Sequence, residues 1–212
     1  MNGADVRRLL QRVTAEFEAK KEYLSSLDAQ LGDGDHGFSL ARGCRAGAQA
    51  VAEAPENSAP DALLRAYGRA LTCEVGGAMG PLFGLIFTQL GAACRGTDGL
   101  DLAGAARGLS DARSQIMELG GAKAGDKTMV DAILPAAQAL EQAAADGRTL
   151  SAGLAACAAA ALAGAQATIP MMAHRGRSKY MRECTIGHQD AGATSFYTLM
   201  QVLADFARED MA

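Results

Sequence analysis

The sequence predicts an all-α, single-domain protein. Apolar residues recur at three- and four-residue steps over most of the chain, the spacing that lines one face of a helix. Val and Ile are sparse and apolar/polar alternation is absent, so half-buried strands lack their signal. Glycine and proline clusters cut the chain into helix-length pieces, and 212 residues suit one domain with a substantial core.

The elements follow in order. Val6, Leu9, Leu10, Val13, Phe17, Leu24 and Leu27 mark a first helix that ends near a group of aspartates. A second starts after His36 and carries Leu40, Cys44 and Ala48. Pro55 to Pro60 reads as a loop. Asp61 to Val75 is a third helix, stopped by Gly76-Gly77. Pro81 stands where a helix start tolerates proline, and Leu82 to Leu90 follows as an apolar helix. Leu100 to Gly120 and Thr128 to Ala145 are the next two. Leu150 to Ala167 is nearly all Ala, Gly, Leu and Cys, a strong helix former whose small side chains let neighbours come close. Thr194 to Arg208 is the eighth. No linker, repeat or low-complexity tail interrupts them.

The net charge of −4 and the absence of a basic patch argue against nucleic acid as a partner. Dispersed Lys and Arg give no support for membrane-surface binding, no apolar run looks long enough to cross a bilayer, and the N-terminus lacks a signal pattern. The five cysteines, Cys44, Cys73, Cys94, Cys157 and Cys184, are odd in number and form no C-x-x-C pair. A reduced, cytoplasmic protein with buried thiols is the simpler reading.

The segment Leu27 to Gly37 carries most of the chemistry. Asp28, Asp33 and Asp35 fall within eight positions, separated by glycines. Carboxylates this close repel, and a fold tolerates them when a hard cation bridges them or solvent screens them. The first case predicts a Mg²⁺ or Ca²⁺ site and points to phosphate chemistry. The second is a solvated acidic turn.

Four glycine-bearing loops, Gly32 to Ser39, Gly76 to Gly80, Gly120 to Thr128 and Arg175 to Thr194, each precede a helix. Glycine lets backbone N–H groups approach an anion, and helix N-termini add positive potential. Converging loops would form one ligand rim; unrelated turns are the other reading. Gly121 to Thr128 is nearly a Walker A, but it has Asp126 where that motif has its second Gly and lacks a preceding strand. What remains is a hydroxyl and amides at a helix start, where Thr128 either meets phosphate or caps its own helix. Arg175, Arg177 and Lys179 suit phosphate, and equally a solvated basic turn.

Together these segments resemble the L subunit of dihydroxyacetone kinase, the nucleotide-binding half of that enzyme. The matching stretches are Leu27 to Gly37, Gly76 to Gly84, Gly121 to Met129, Arg175 to Ser178 and Gly187 to Ser195. The resemblance implies one nucleotide-binding domain over residues 1–212, an eight-helix antiparallel barrel with ADP or ATP and Mg²⁺ at one end. It implies that Asp28, Asp33 and Asp35 hold Mg²⁺ ions, two in number. It implies nucleotide contacts from His36, Gly37, Phe38 and Ser39, from Ala78 and Met79, from Gly120 or Gly121, from Thr128 and Met129, from Arg177, and from Asp190, Ala191 and Gly192. Arg177 would also stabilise charge.

The resemblance further implies a partner K subunit that holds the sugar; the sequence itself offers no convincing general base, so the acceptor hydroxyl would be activated by groups from that partner. In one branch ADP stays bound and is rephosphorylated by the M subunit of the phosphotransferase system. In the other, free ATP is the donor and the substrate is a triose or a tetrose such as erythrulose. A third role is nucleotide-dependent docking onto a transcription regulator. Three positions depart from the family pattern. Met79 stands where Ser or Thr is usual, Ser39 where Asn is common, and Ala191 where Pro is common. Losing a hydroxyl bond to phosphate at Met79 costs on the order of 1.5–3 kcal/mol, which nearby amides partly offset.

Overall fold

The structure, a computed structural model, describes residues 1–210; the last two positions of the 1–212 domain lie outside the described residues. Among those residues the chain is all-helical and has no strand. The helices are α1 (Gly3–Asp28), α2 (His36–Ala52), α3 (Pro60–Glu74), α4 (Met79–Ala93), α5 (Leu102–Gly120), α6 (Val130–Ala145), α7 (Leu150–Ala167) and α8 (Ala191–Glu209), with a 3-10 segment at Arg177–Thr185. Each helix packs on the next, and α8 closes on α1. The connections return the chain to the end it left, so the helices run antiparallel around a ring. All even-numbered helices therefore begin at one end, and all odd-numbered helices begin at the other.

The core is the inward stripe of each helix. In α1, Val6, Leu9, Leu10, Val13, Phe17 and Leu24 are buried, and Phe17 meets Phe83 of α4 edge to face at 6.2 Å. Each such side chain contributes roughly 1.5–3 kcal/mol on burial. Small residues set how closely neighbours approach. A Cβ at Gly68 of α3 would lie 2.7 Å from the Gly84 carbonyl of α4, so those backbones touch. In α6, Pro135 deprives the Asp131 carbonyl of its helical donor. Gly164 of α7 packs against that carbonyl, where a Cβ would collide.

The expected all-α class and eight helices hold. Several details differ: α4 starts at Met79 rather than Leu82, and α6 at Val130 rather than Thr128. α8 starts at Ala191 rather than Thr194, because Asp190 caps it by accepting from the Ala193 N–H at 2.7 Å. The Arg175 to Thr194 loop contains the 3-10 segment, which has no strong helical pattern. Cys44, Cys94 and Cys157 are buried as expected, but Cys73 and Cys184 are exposed, and all five thiols are free. The expectation that no apolar run is long enough to cross a bilayer fails for α7, which passes by length and composition. Its alanines serve a different purpose here, since α7 packs between α6 and α8 as a wall of the ring.

Candidate functional site

A cleft of about 450 Å³ opens at the end of the ring where α2, α4, α6 and α8 begin. All four glycine-bearing loops contribute to it, which decides between converging and unrelated loops. The helix starts bring N–H groups and positive potential together at this place.

One wall is the acidic loop. α1 ends at Asp28, whose carboxylate accepts from the Gly34 N–H at 2.9 Å. Gly34 takes a left-handed turn (φ +75°) that favours glycine. The turn brings carboxylate oxygens of Asp28, Asp33 and Asp35 within 4.8 Å of one another. Asp33 pairs with the Arg177 guanidinium; neither Asp28 nor Asp35 has an ion-pair partner among the described residues. Three carboxylates facing one guanidinium leave an excess of negative charge, and an all-oxygen set suits a hard divalent cation such as Mg²⁺. The Arg177–Asp33 pair is exposed, and such a pair is worth at most about 1 kcal/mol, so it does not keep Asp33 from a cation.

α2 begins beside this loop. The Gly37 and Phe38 N–H groups donate to Ser25 Oγ of α1 at 3.0 and 3.3 Å. Ser195 Oγ donates to the Gly192 carbonyl at 3.0 Å and lies 2.9 Å from His36 Nε2. This contact ties the His36 ring at the start of α2 to the N-terminal end of α8. Burial lowers the His36 pKa to about 4, against the opposing pull of Asp28.

The opposite wall is built from two loops. Asp131 accepts from the Gly125 N–H at 2.6 Å and the Thr128 N–H at 2.8 Å. Thr128 Oγ1 accepts from the Val130 N–H at 3.1 Å, so Thr128 does cap its helix, and its hydroxyl proton remains available to a ligand. Lys127 is buried, 1% exposed, and donates to the Thr168 and His188 carbonyls at 2.6 and 2.5 Å. Burial lowers its pKa, while Asp190 and Asp131 raise it. Burial pushes Asp190 up to about 6, opposed by the Ala193 N–H and Lys127.

Of the residues expected from sequence, Asp28, Asp33, Asp35, His36, Ser39, Ala78, Met79, Thr128, Met129, Arg177, Asp190, Ala191 and Gly192 line the cleft; Gly37, Phe38, Gly120 and Gly121 do not. Gly37 is buried and Phe38 half exposed, while Gly121 ends α5 near Arg175. The lining also includes residues not expected as contacts, among them Leu31, Gly32 and Arg175 of the loops already singled out, and Arg42, Leu82, Phe83 and Lys127. Arg42 shares a helix face with Asp35 and Ser39, a spacing that could have found it. Leu82 and Phe83 supply apolar lining, and Lys127 was set aside with the Walker A pattern.

Comparison with known proteins places the chain among relatives of the same fold. Residues 30–205 match the DAK2 domain family. The chain is 37% identical over 195 residues to the ADP-binding subunit DhaL of the PEP-dependent dihydroxyacetone kinase of Escherichia coli, covering 91% of each. It is 35% identical over 201 residues to a D-erythrulose kinase of Mycolicibacterium smegmatis, covering 94% of this chain and 35% of that protein. A crystal structure of the dihydroxyacetone kinase from C. freundii in complex with AMP-PNP and Mg²⁺ superposes with a TM-score of 0.71 at 28% identity, covering 95% of this chain and 34% of that one. The chain thus spans about a third of the two longer kinases.

Proposed function

The chain belongs to the DAK2 domain family, and on that premise we propose that it is the nucleotide-binding, phosphoryl-transferring L subunit of a dihydroxyacetone kinase, one domain over residues 1–212. The observation that carries this reading is the cleft itself, where an aspartate triad faces four helix starts across a space that would take a nucleotide's phosphates.

Asp28, Asp33 and Asp35 would hold Mg²⁺, two ions in this reading. When bound, the metal withdraws charge from the phosphate oxygens and lowers the barrier to transfer. The chain's own groups position the nucleotide and neutralise charge, which is most of what phosphoryl transfer asks of a protein. Amides at the starts of α4, α6 and α8 would donate to phosphate oxygens, with Thr128 Oγ1 adding one bond. Arg177, already at the mouth beside Asp33, would stabilise charge on the transferring group. No side chain here fits a general base for a sugar hydroxyl, so the sugar and its activation belong to a K subunit.

The surface supports a docked partner. The exposed large hydrophobics among the described residues are Tyr23, Phe38, Leu119, Ile169, Tyr180, Met181 and Ile186. All lie near the cleft end, in the last turns of α1 and α5, the first turn of α2 and the α7–α8 connection. Apolar groups concentrated around one opening mark an interaction surface.

The similarity to the E. coli subunit favours bound ADP recharged by a phosphotransferase M subunit in the cytoplasm. The similarity to the D-erythrulose kinase favours a second reading, an ATP-using kinase of a triose or tetrose. Mass spectrometry of the gently purified protein separates them. Retained ADP with magnesium supports the first, and an empty chain that takes up ATP reversibly supports the second. A chain that binds neither nucleotide with Mg²⁺ sinks both.

A further inference from the structure

Lys127 has no part in the chemistry above, yet the fold meets two costs to keep it. Its ammonium is buried, which is unfavourable unless hydrogen bonds replace water. Its backbone is left-handed (φ +57°), a conformation a side chain makes costly and glycine would relieve. Gly125, two residues earlier, turns the same way with φ +87°. A residue retained against both costs is held by what its side chain binds.

That side chain joins two segments far apart in sequence. Nζ donates to the carbonyl of Thr168, just past α7, and to that of His188, just before α8. Thr168 Oγ1 in turn accepts from the Asp190 N–H at 3.0 Å, and Asp190 caps α8. On the other side, Asp131 holds the loop around Lys127 through the Gly125 and Thr128 N–H groups. A continuous path therefore runs from Thr128 through Lys127 and Thr168 to Asp190. The acidic segment touches this path through Gln30, whose Oε1 lies 2.6 Å from His188 Nδ1, but its three carboxylates bond to α1, α2 and Arg177 and to none of the path's residues.

We propose that Lys127 is a positioning residue, a latch that ties the loop carrying Thr128 and Met129 to the loop carrying Asp190, Ala191 and Gly192 and so sets the geometry of one wall of the cleft. The proposal rests on the nucleotide reading for its functional consequence. Without the ammonium the two loops lose their shared tie. Asp190 and Asp131 would also face a bound diphosphate with no positive charge beside them.

The test compares the full chain with Lys127→Met and Lys127→Arg. Two quantities are measured: ADP affinity with Mg²⁺ by calorimetry, and amide hydrogen exchange without nucleotide. Lys127→Met is expected to weaken ADP binding at least tenfold. Mn²⁺ binding to the acidic loop without nucleotide should stay within twofold. The amides of Thr128 to Asp131 and of Asp190 to Ala193 should exchange at least tenfold faster, as one set. Lys127→Arg, which keeps charge and donors, should recover most of both. A purely structural lysine would instead lower Tm and speed exchange around the whole ring, with ADP affinity unchanged well below Tm. That result overturns the proposal.

If the unaltered chain binds no ADP, the nucleotide reading fails by itself, and the exchange data still decide the latch, because loops that respond separately refute it. Should Lys127→Met not fold, Thr168→Val carries the same readouts. It removes the acceptor for the Asp190 N–H and should change both about threefold; no change at either loop overturns the latch.

Discussion

The two ends of the ring are built from the same helices and differ in what meets the helix starts. At the end away from the cleft, Asn2 closes α1 in a reciprocal capping box, Asp101 accepts from the Gly104 N–H, and Thr149 accepts from the Ala152 N–H. Only α3 begins there without a side-chain cap, with Pro60 at its first turn. At the cleft end, α2, α4 and α6 have no cap from their own N-cap residue, and only Asp190 caps α8. One end satisfies its helix starts from within. At the other, Ser25 of α1 takes the Gly37 and Phe38 N–H groups of α2 and Thr128 takes the Val130 N–H of α6, the start of α4 has no side-chain cap, and apolar side chains surround an opening where a ligand and a partner can add contacts. Stability and binding are thus assigned to opposite ends.

Substitutions at each end test that division. The largest effect is expected at the aspartate triad. Asp33→Asn should weaken Mg²⁺-dependent ADP binding at least about 100-fold while the helical circular dichroism persists, and Asp28→Asn and Asp35→Asn should behave alike. Affinity equal to that of the unaltered chain would end the metal assignment. Next comes the apolar rim. Changing Leu119 and Tyr180 together to Ser should cut transfer in the presence of a K subunit about tenfold, with ADP affinity held within twofold, as seen by titrating the partner. An equal loss of ADP binding would mean the rim belongs to the nucleotide site.

Asp190 links the division to pH. Its folded pKa of about 6 lies above the ordinary 3.8, so the folded chain holds this proton more tightly than the unfolded chain. The stability this proton contributes is full below pH 3.8 and is lost as pH rises through 6. With solvent reaching the cleft, the change is on the order of 1–2 kcal/mol. Thermal melts of the nucleotide-free chain should show Tm rising from pH 7 to pH 5 by more than in Asp190→Asn; parallel profiles would remove Asp190 as the cause. The smallest effect belongs to the far end. Asp101→Ala should cost about 1 kcal/mol of cap energy, a Tm drop of roughly 2–4 °C, and leave ADP affinity untouched.

Much of this organisation was legible beforehand. The α1 stripe from Val6 to Leu27, the stop at Gly76-Gly77 and the triad in its glycine-spaced turn are local patterns, and each appears in the structure where the residues put it. The start of α8 was misjudged because Gly192 resembles a loop residue, although Asp190 three positions before Ala193 is a cap signal. Arg42 was missed although its spacing from Asp35 and Ser39 is helical.

The near-Walker A pattern pointed to Lys127 for phosphate, but its role between two loops was not legible. Its partners, the carbonyls of Thr168 and His188, are backbone atoms, which every residue has, so nothing in their side chains announces the bond. The sequence by itself determined the helices, their apolar faces and the residue types able to hold metal and phosphate, because spacing along a helix and the chemistry of a short turn are local properties. The tertiary structure alone decided that four separate loops meet at one end, that Arg177 faces Asp33, and that a lysine joins two of those loops. Such contacts depend on how the ring closes, and closure is set by the packing of all eight helices together rather than by any one segment.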